Sequence, residues 1–448
     1  MSAVPLDVAQ WQAKFAARAS DAGRWTANVR NLIDRARREP ADVTRDDYAT
    51  YVFTINEIAA RPGLLDAATL SGFFTEFGRL AANLGEPAND RRVGEALDQA
   101  ITLQRHSGGD ISELYLAKAA YLGSQATESR DRVQAINAAI DSSRPGSDDW
   151  ATAVIALAAY QIEVSQYDEA IDTVDRIRAA MPTDRYRQKF RCACLVYEGM
   201  ARFTSFQDID RARQVLTEAI DYRNRANDLV IARWVATAYH FLARIAEVDR
   251  QLQTAVDLYL TGKQFQDLCP EDIGANAFIH LRIAEPLIAG GALRLAKDHL
   301  DEAYRLVKTG SNISSARLQV QLGYATLVAA EGDVRAAEDV AVKALHRSQE
   351  VAFWRGELLC LGYLLVLGVH RRRPDKIASA ALRILRTAFI GELRRNGLLK
   401  LLARIPVILP IAVRRMSRRS RGGTAPASRC DCPLHDRTRL PDTPATTG

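Results

Sequence analysis

The 448-residue sequence predicts an all-α solenoid of stacked antiparallel helix pairs, and three observations carry that prediction. First, alanines recur at near-constant intervals: Ala135, Ala170, Ala212, Ala255, Ala296, Ala337 and Ala378, with five of the six spacings between 41 and 43 residues. Second, each is followed four positions on by Ala139, Val174, Leu216, Tyr259, Leu300, Ala341 or Leu382. Each is also preceded twelve positions back by Gly123, Ala158, Met200, Ala243, Ala284, Ala325 or Val366. Residues four apart share a helix face, and mostly small partners let two axes approach closely, so each unit holds two helices meeting at a seam. Third, 26 glycines and 15 prolines are fewer than average usage.

From the N-terminus, the elements follow in order. Residues 1–25 lack the basic start and apolar stretch of a signal peptide, which predicts a chain that is not secreted. FFTEFGRLAANL at 73–84 and VGEALDQAITL at 93–103 carry apolar residues at three and four spacing, so residues 1–105 are expected to form a helical capping region. Breaks rich in Gly, Pro, Ser and Asp follow at 106–110, 143–149, 269–274 and 308–315, each separating two repeats of an array expected over 106–390.

The unit over 151–184 sets Leu157, Ala158, Tyr167, Ala170, Val174 and Pro182 at characteristic intervals. A later unit has LGYA at 322–325 and a tight turn at Gly332 and Asp333. These residues resemble the tetratricopeptide repeat. Against a consensus of about 34 residues, the period near 41 adds about two helical turns per pair. The resemblance implies a right-handed superhelix. Its concave surface, lined by the first helix of each pair, would bind a segment of another protein.

Charge is unevenly distributed. Residues 371–421 hold fifteen Lys or Arg against Asp375 and Glu392, leaving residues 1–370 at net −7 within a whole of +6. The segment 391–421 interleaves Leu398, Leu399, Leu401, Leu402 and Ile405 with Arg394, Arg395, Lys400 and Arg404, followed by Arg414 and Arg415. That pattern suits an amphipathic helix lying on an anionic membrane surface, or a polar cap to the solenoid. Nucleic acid is a weaker third reading, because aromatic stacking residues are nearly absent there. The longest apolar run, Ile405 to Val413, is too short to span a bilayer. Residues 422–448, rich in Pro, Thr and charge, are expected to be disordered.

Phosphate-loop, dinucleotide, zinc-protease and nucleophile-elbow motifs are missing from the sequence, so it predicts no enzyme and no cofactor. The seven histidines fall on different expected helices and form no local cluster. Cys430, Cys432 and His435 are spaced too closely for structural zinc, and Cys192 and Cys194 read as small core residues. Six cysteines in 49.5 kDa suit a reducing compartment. The chain is therefore expected to be cytoplasmic, at most peripheral on the inner face of the membrane, and its Ala- and Arg-rich usage suggests a bacterium. The expected partner groove comprises Tyr160, Gln161, Tyr197, Arg233, Tyr239, Asn276, His280, Gln319 and Gln321. The alternative is a ligand- or peptide-sensing regulator acting through another chain, a role similar extended repeats play in bacterial regulators. Oligomeric state is not legible.

Overall fold

The computed structural model describes residues 111–124, 129–181, 188–225, 228–269, 273–308, 315–350, 354–390 and Cys430, with single positions between 27 and 105. Among the described residues the chain is helical and holds no strand. It divides into two compact units. One comprises Met1–Tyr160, Thr173–Thr183 and Gly310–Asn312, and the other the remainder.

In the first unit, α1 (Ser112–Ser124) packs on α2 (Ser129–Ser142), and α3 (Asp148–Glu163) begins. Leu114, Ala117 and Tyr121 of α1, and Ala135, Ile136 and Ala139 of α2, are buried at three- and four-residue steps.

The second unit takes up the chain over Gln161–Asp172, which opens α4 (Tyr167–Ala180), and there Tyr167 and Ala170 pack on Ala201. It continues as α5 (Gln188–Ser205), α6 (Ile209–Ile220), α7 (Leu229–Val248), α8 (Leu252–Gln266), α9 (Ile273–Ala289) and α10 (Leu293–Lys308). The last four helices are α11 (Ser315–Glu331), α12 (Val334–Glu350), α13 (Trp354–His370) and α14 (Pro374–Ile390). From α5 on, each helix packs on the next, and first helices also touch across repeats: α5 on α7, α9 on α11, α11 on α13. That neighbour pattern is a solenoid of stacked antiparallel pairs, in which each pair buries its apolar faces against adjacent pairs.

The seams lie where the alanine pattern put them. Ala212, Leu216, Ala255, Tyr259, Ala296, Leu300, Ala337 and Ala341 are fully buried, facing Ala243, Ala284 and Ala325, which are fully buried too. Close approach is tightest at Gly199, where an added Cβ would lie 2.5 Å from Leu216 Cγ, and at Gly323, 2.5 Å from Leu281 Cδ1. The last unit departs from the expectation. Ala378 is exposed and Leu382 is 70% exposed, whereas Ala380 and Ile384 are buried.

The turns explain that slip. Among the described residues, Ser165, Phe206, Arg250, Gly291, Gly332 and Arg372 stand at positive φ, from 55° to 109°, each between the first and second helix of a pair. In five of these turns the next N–H reaches the carbonyl five residues back, for example Gln251 to Ala246 at 2.8 Å and Arg373 to Gly368 at 2.9 Å. This left-handed cap satisfies the orphan carbonyls at a helix end. Ala170, Ala255, Ala296 and Ala337 lie five residues after their turn residue, and the position five after Arg372 is Ile377. Ile377 therefore takes the seam register, and Gly368 makes room for it: a Cβ there would come within 3.2 Å of Ile377 Cγ1.

Candidate partner-binding surface

The first helices α5, α7, α9 and α11 present one continuous set of polar and aromatic side chains. Arg244 directly follows the seam residue Ala243, and Glu285 directly follows Ala284. A step of one residue rotates the side chain about 100° out of the seam, which leaves both half-buried at its edge. The Arg244 guanidinium lies 5.1 Å from the ring centroid of Phe203 on α5 and 5.8 Å from that of Phe241. Arg282 sits 4.4 Å over Phe278, donates from Nη1 to both Glu285 oxygens at 2.8 Å, and reaches Gln319 of α11 from Nη2 at 3.4 Å. His240 stacks on Phe278 at 5.5 Å and meets Tyr259 edge-on at 5.4 Å, while the Tyr259 hydroxyl donates to Glu247 Oε1 at 2.7 Å.

Charges in this cluster are matched. Burial, then Arg282 and Arg244, holds His240 well below the usual imidazole range, so it is neutral at pH 7. Burial and Glu247 push Tyr259 up, keeping the phenol a donor. Burial and neighbouring Arg282 pull Arg244 down from its ordinary value, while Glu247 and Glu285 act in the opposite direction. Two guanidiniums on aromatic platforms thus face two carboxylates. A planar fork held this way recognises carboxylates and peptide groups geometrically, and Arg on aromatic rings is typical of binding hot spots.

Of the residues expected to line a groove, Gln319 joins the cluster through Arg282, and Arg233 is exposed on α7. Gln161 and Gln321 are half-buried, and half-buried Asn276 donates to the Cys269 carbonyl at 3.2 Å. Tyr160, Tyr197, Tyr239 and His280 are instead buried at 5 to 9% exposure. Tyr160 belongs to the first unit, where Arg132 lies over its ring. Tyr197 packs edge-on against Trp234 at 5.2 Å, and Tyr239 stacks on Phe265 at 5.8 Å. Tyr239 and His280 precede Ala243 and Ala284 by four residues, so the helical period places them on the seam face itself. Arg244, Phe278, Arg282 and Glu285 escaped the sequence reading; the signal for Arg244 and Glu285 was their place one residue past a small seam position.

His280 also corrects the expectation that the histidines stay apart. Its Nδ1 lies 2.9 Å from Nδ1 of His299, whose Nε2 lies 3.1 Å from Cys430 Sγ. All three residues are buried, and Cys430 joins the core cluster of Tyr259, Leu281 and Leu300. Cys430, within the segment 422–448 that was expected to be disordered, is buried in an apolar pocket beside the His299 imidazole. The other residues of that segment lie outside the described residues. His299 faces its two partners through opposite ring nitrogens, so the three groups share no single point where one ion could sit. Cys192 and Cys194 are buried core residues, and burial pushes the Cys192 thiol up to about 12. Arg394, Arg395, Lys400, Arg404, Arg414 and Arg415 lie outside the described residues.

No family model matches the sequence, and no curated protein is similar to it. Among solved structures, the chain is similar to a crystal structure of the APC/C hetero-tetramer Cut9-Hcn1, with 12% identity, a TM-score of 0.30 and coverage of 89% of this chain and 90% of that one.

Proposed function

We propose that this chain is a non-catalytic scaffold that binds a segment of another protein along the first helices α5, α7, α9 and α11. The observation that carries this reading is the Arg244 and Arg282 pair, laid on Phe203, Phe241 and Phe278 and extended to Gln319 across the repeat. Phe203 and Phe241 are themselves buried, so the rings seat the guanidiniums from beneath, and the forked donors fix the register of an extended chain. The bound segment carries a carboxylate that replaces Glu285 opposite Arg282.

The reading extends to location: a cytoplasmic chain held at the inner face of a bacterial membrane through Arg394, Arg395, Lys400, Arg404, Arg414 and Arg415. Sedimentation with anionic vesicles at low and high salt tests that part separately.

For the main reading, a random peptide library is selected on the full chain and the recovered peptides are titrated against Arg282→Glu. Circular dichroism and melting confirm that the variant folds. Loss of binding with the fold intact supports the surface; equal binding to Arg282→Glu removes it.

A further inference from the structure

At the C-terminal end of the repeat array, α12, α13 and α14 enclose a cavity of about 120 Å³ that the partner-binding surface does not use. Its floor is apolar, with Val342, Leu361, Leu364 and Leu367 among its lining. Its charged lining is mostly basic, Arg371, Arg373, Lys376 and Arg383 with one carboxylate, Glu338. The fold assembles this lining deliberately. The left-handed turn at Arg372 places Arg371 and Arg373 on either side of the helix junction. The lack of a side chain at Gly368 lets α14 approach α13 closely enough to bring Lys376 beside them.

The cations outnumber the anions that hold them. Arg371 Nη1 and Lys376 Nζ converge on one carboxylate, Glu338, each at 2.9 Å. Arg373 takes Asp375 at 2.9 Å. Among the described residues Arg383 has no ion pair. Four cations against two carboxylates leave a residual charge of +2. The Lys376 ammonium and the Arg371 guanidinium, both bonded to Glu338, hold its carboxyl below the usual range, so it is ionised and the count stands at neutral pH. Cations clustered over a low-dielectric floor focus their field into the cavity.

We propose that this cavity binds an amphipathic phosphate: a phosphate head between Arg383, Lys376 and Arg373, with a short apolar stem on Leu361, Leu364 and Val342. A residual charge of +2 matches a phosphate dianion better than a carboxylate, and forked guanidiniums match phosphate oxygens in pairs. The apolar floor excludes a bare phosphate as the fitting ligand, because an inorganic ion leaves that surface uncovered. The head group can come from a bilayer lipid or from a soluble phosphorylated amphiphile.

Calorimetric titration of the full chain with dihexanoyl phosphatidic acid, glycerol phosphate, inorganic phosphate and dihexanoyl phosphatidylcholine tests the assignment. The phosphatidic acid should bind about tenfold tighter than glycerol phosphate, and Arg383→Glu and Val342→Gln should each weaken it by about tenfold. Arg383 is exposed on α14, so its variant keeps the fold, as an unchanged melting temperature verifies. Sedimentation with phosphatidic-acid vesicles that Arg383→Glu abolishes identifies a bilayer source. Binding of the soluble lipid without such sedimentation identifies a soluble amphiphile. Failure of every phosphate compound to bind, equal affinity for glycerol phosphate, or full affinity in Arg383→Glu overturns the proposal.

Discussion

The two polar surfaces of the second unit are built from the same kind of repeat and differ in how their charges are matched. Across α5 to α11, two arginines face two carboxylates and rest on three phenylalanine rings. Across α12 to α14, four cations meet two carboxylates over aliphatic side chains. The first surface is charge-matched, its arginines seated on largely buried rings, which suits a chain that exchanges one ion pair for another. The second is positive, enclosed and aliphatic, which suits an anion with an apolar stem. One scaffold thus offers two recognition chemistries, because the residues beside the seam vary far more than the seam itself, where Ile377 alone replaces an alanine.

The largest expected effect separates the two surfaces directly. Arg282→Glu reverses charge at a ring-stacked, largely buried guanidinium, and should cost a selected peptide about 2–4 kcal/mol of binding, while Arg383→Glu leaves peptide binding unchanged. Titration of both variants by fluorescence anisotropy reads this; equal losses from both would merge the two surfaces into one.

Acid should unsettle the first surface and spare the second. His240 is neutral in the fold because its pKa is lowered, whereas in the unfolded chain it takes a proton near its ordinary value of about 6.5. The unfolded state then binds more protons below that value, so stability is complete above it and is lost as pH falls. The loss grows by at most about 1.4 kcal/mol per pH unit below that value. Denaturant melts of the natural chain and of His240→Phe at pH 7 and 5 check it: a slope that survives the substitution assigns the effect elsewhere.

Packing under the first surface is also unequal along its length. Gly199→Ala drives a Cβ to 2.5 Å from Leu216 Cγ, a branch point fixed in the core, and should cost about 1–3 kcal/mol. Gly323→Ala meets only the terminal methyls of Leu281 and Leu300, so it should cost less. Reversal of that order in thermal melts would show that α9 and α10 are packed more rigidly than α6.

The smallest effect is a gain. Arg250 and Arg372 hold left-handed backbone angles that favour glycine, so Arg250→Gly and Arg372→Gly should each stabilise the chain by up to about 1 kcal/mol. Only Arg372→Gly leaves Arg371 and Arg373 to reorient, and should also weaken phosphate binding.

Much of the seam was legible because burial of small residues at helical spacing leaves a direct mark: six of the seven alanines are buried. The seventh misled because identity was taken for register. Arg372 carries a turn that glycine marks in other repeats, and the seam position after it is Ile377 rather than Ala378. The binding surface was read less well. Tyr239 and His280 are polar-tipped residues that the four-residue period commits to the seam, where rings and buried hydrogen bonds satisfy them. The contact of His299 with Cys430 spans 131 residues, a distance over which no local spacing carries information.

Hydrogen exchange of the full chain with and without a library-selected peptide tests the central claim most directly. The account predicts added protection over Leu229–Val248, Ile273–Ala289 and Ser315–Glu331, and none over Pro374–Ile390. Protection confined to the second helices, Leu252–Gln266 and Leu293–Lys308, would contradict it and place the partner on the opposite face of the repeats.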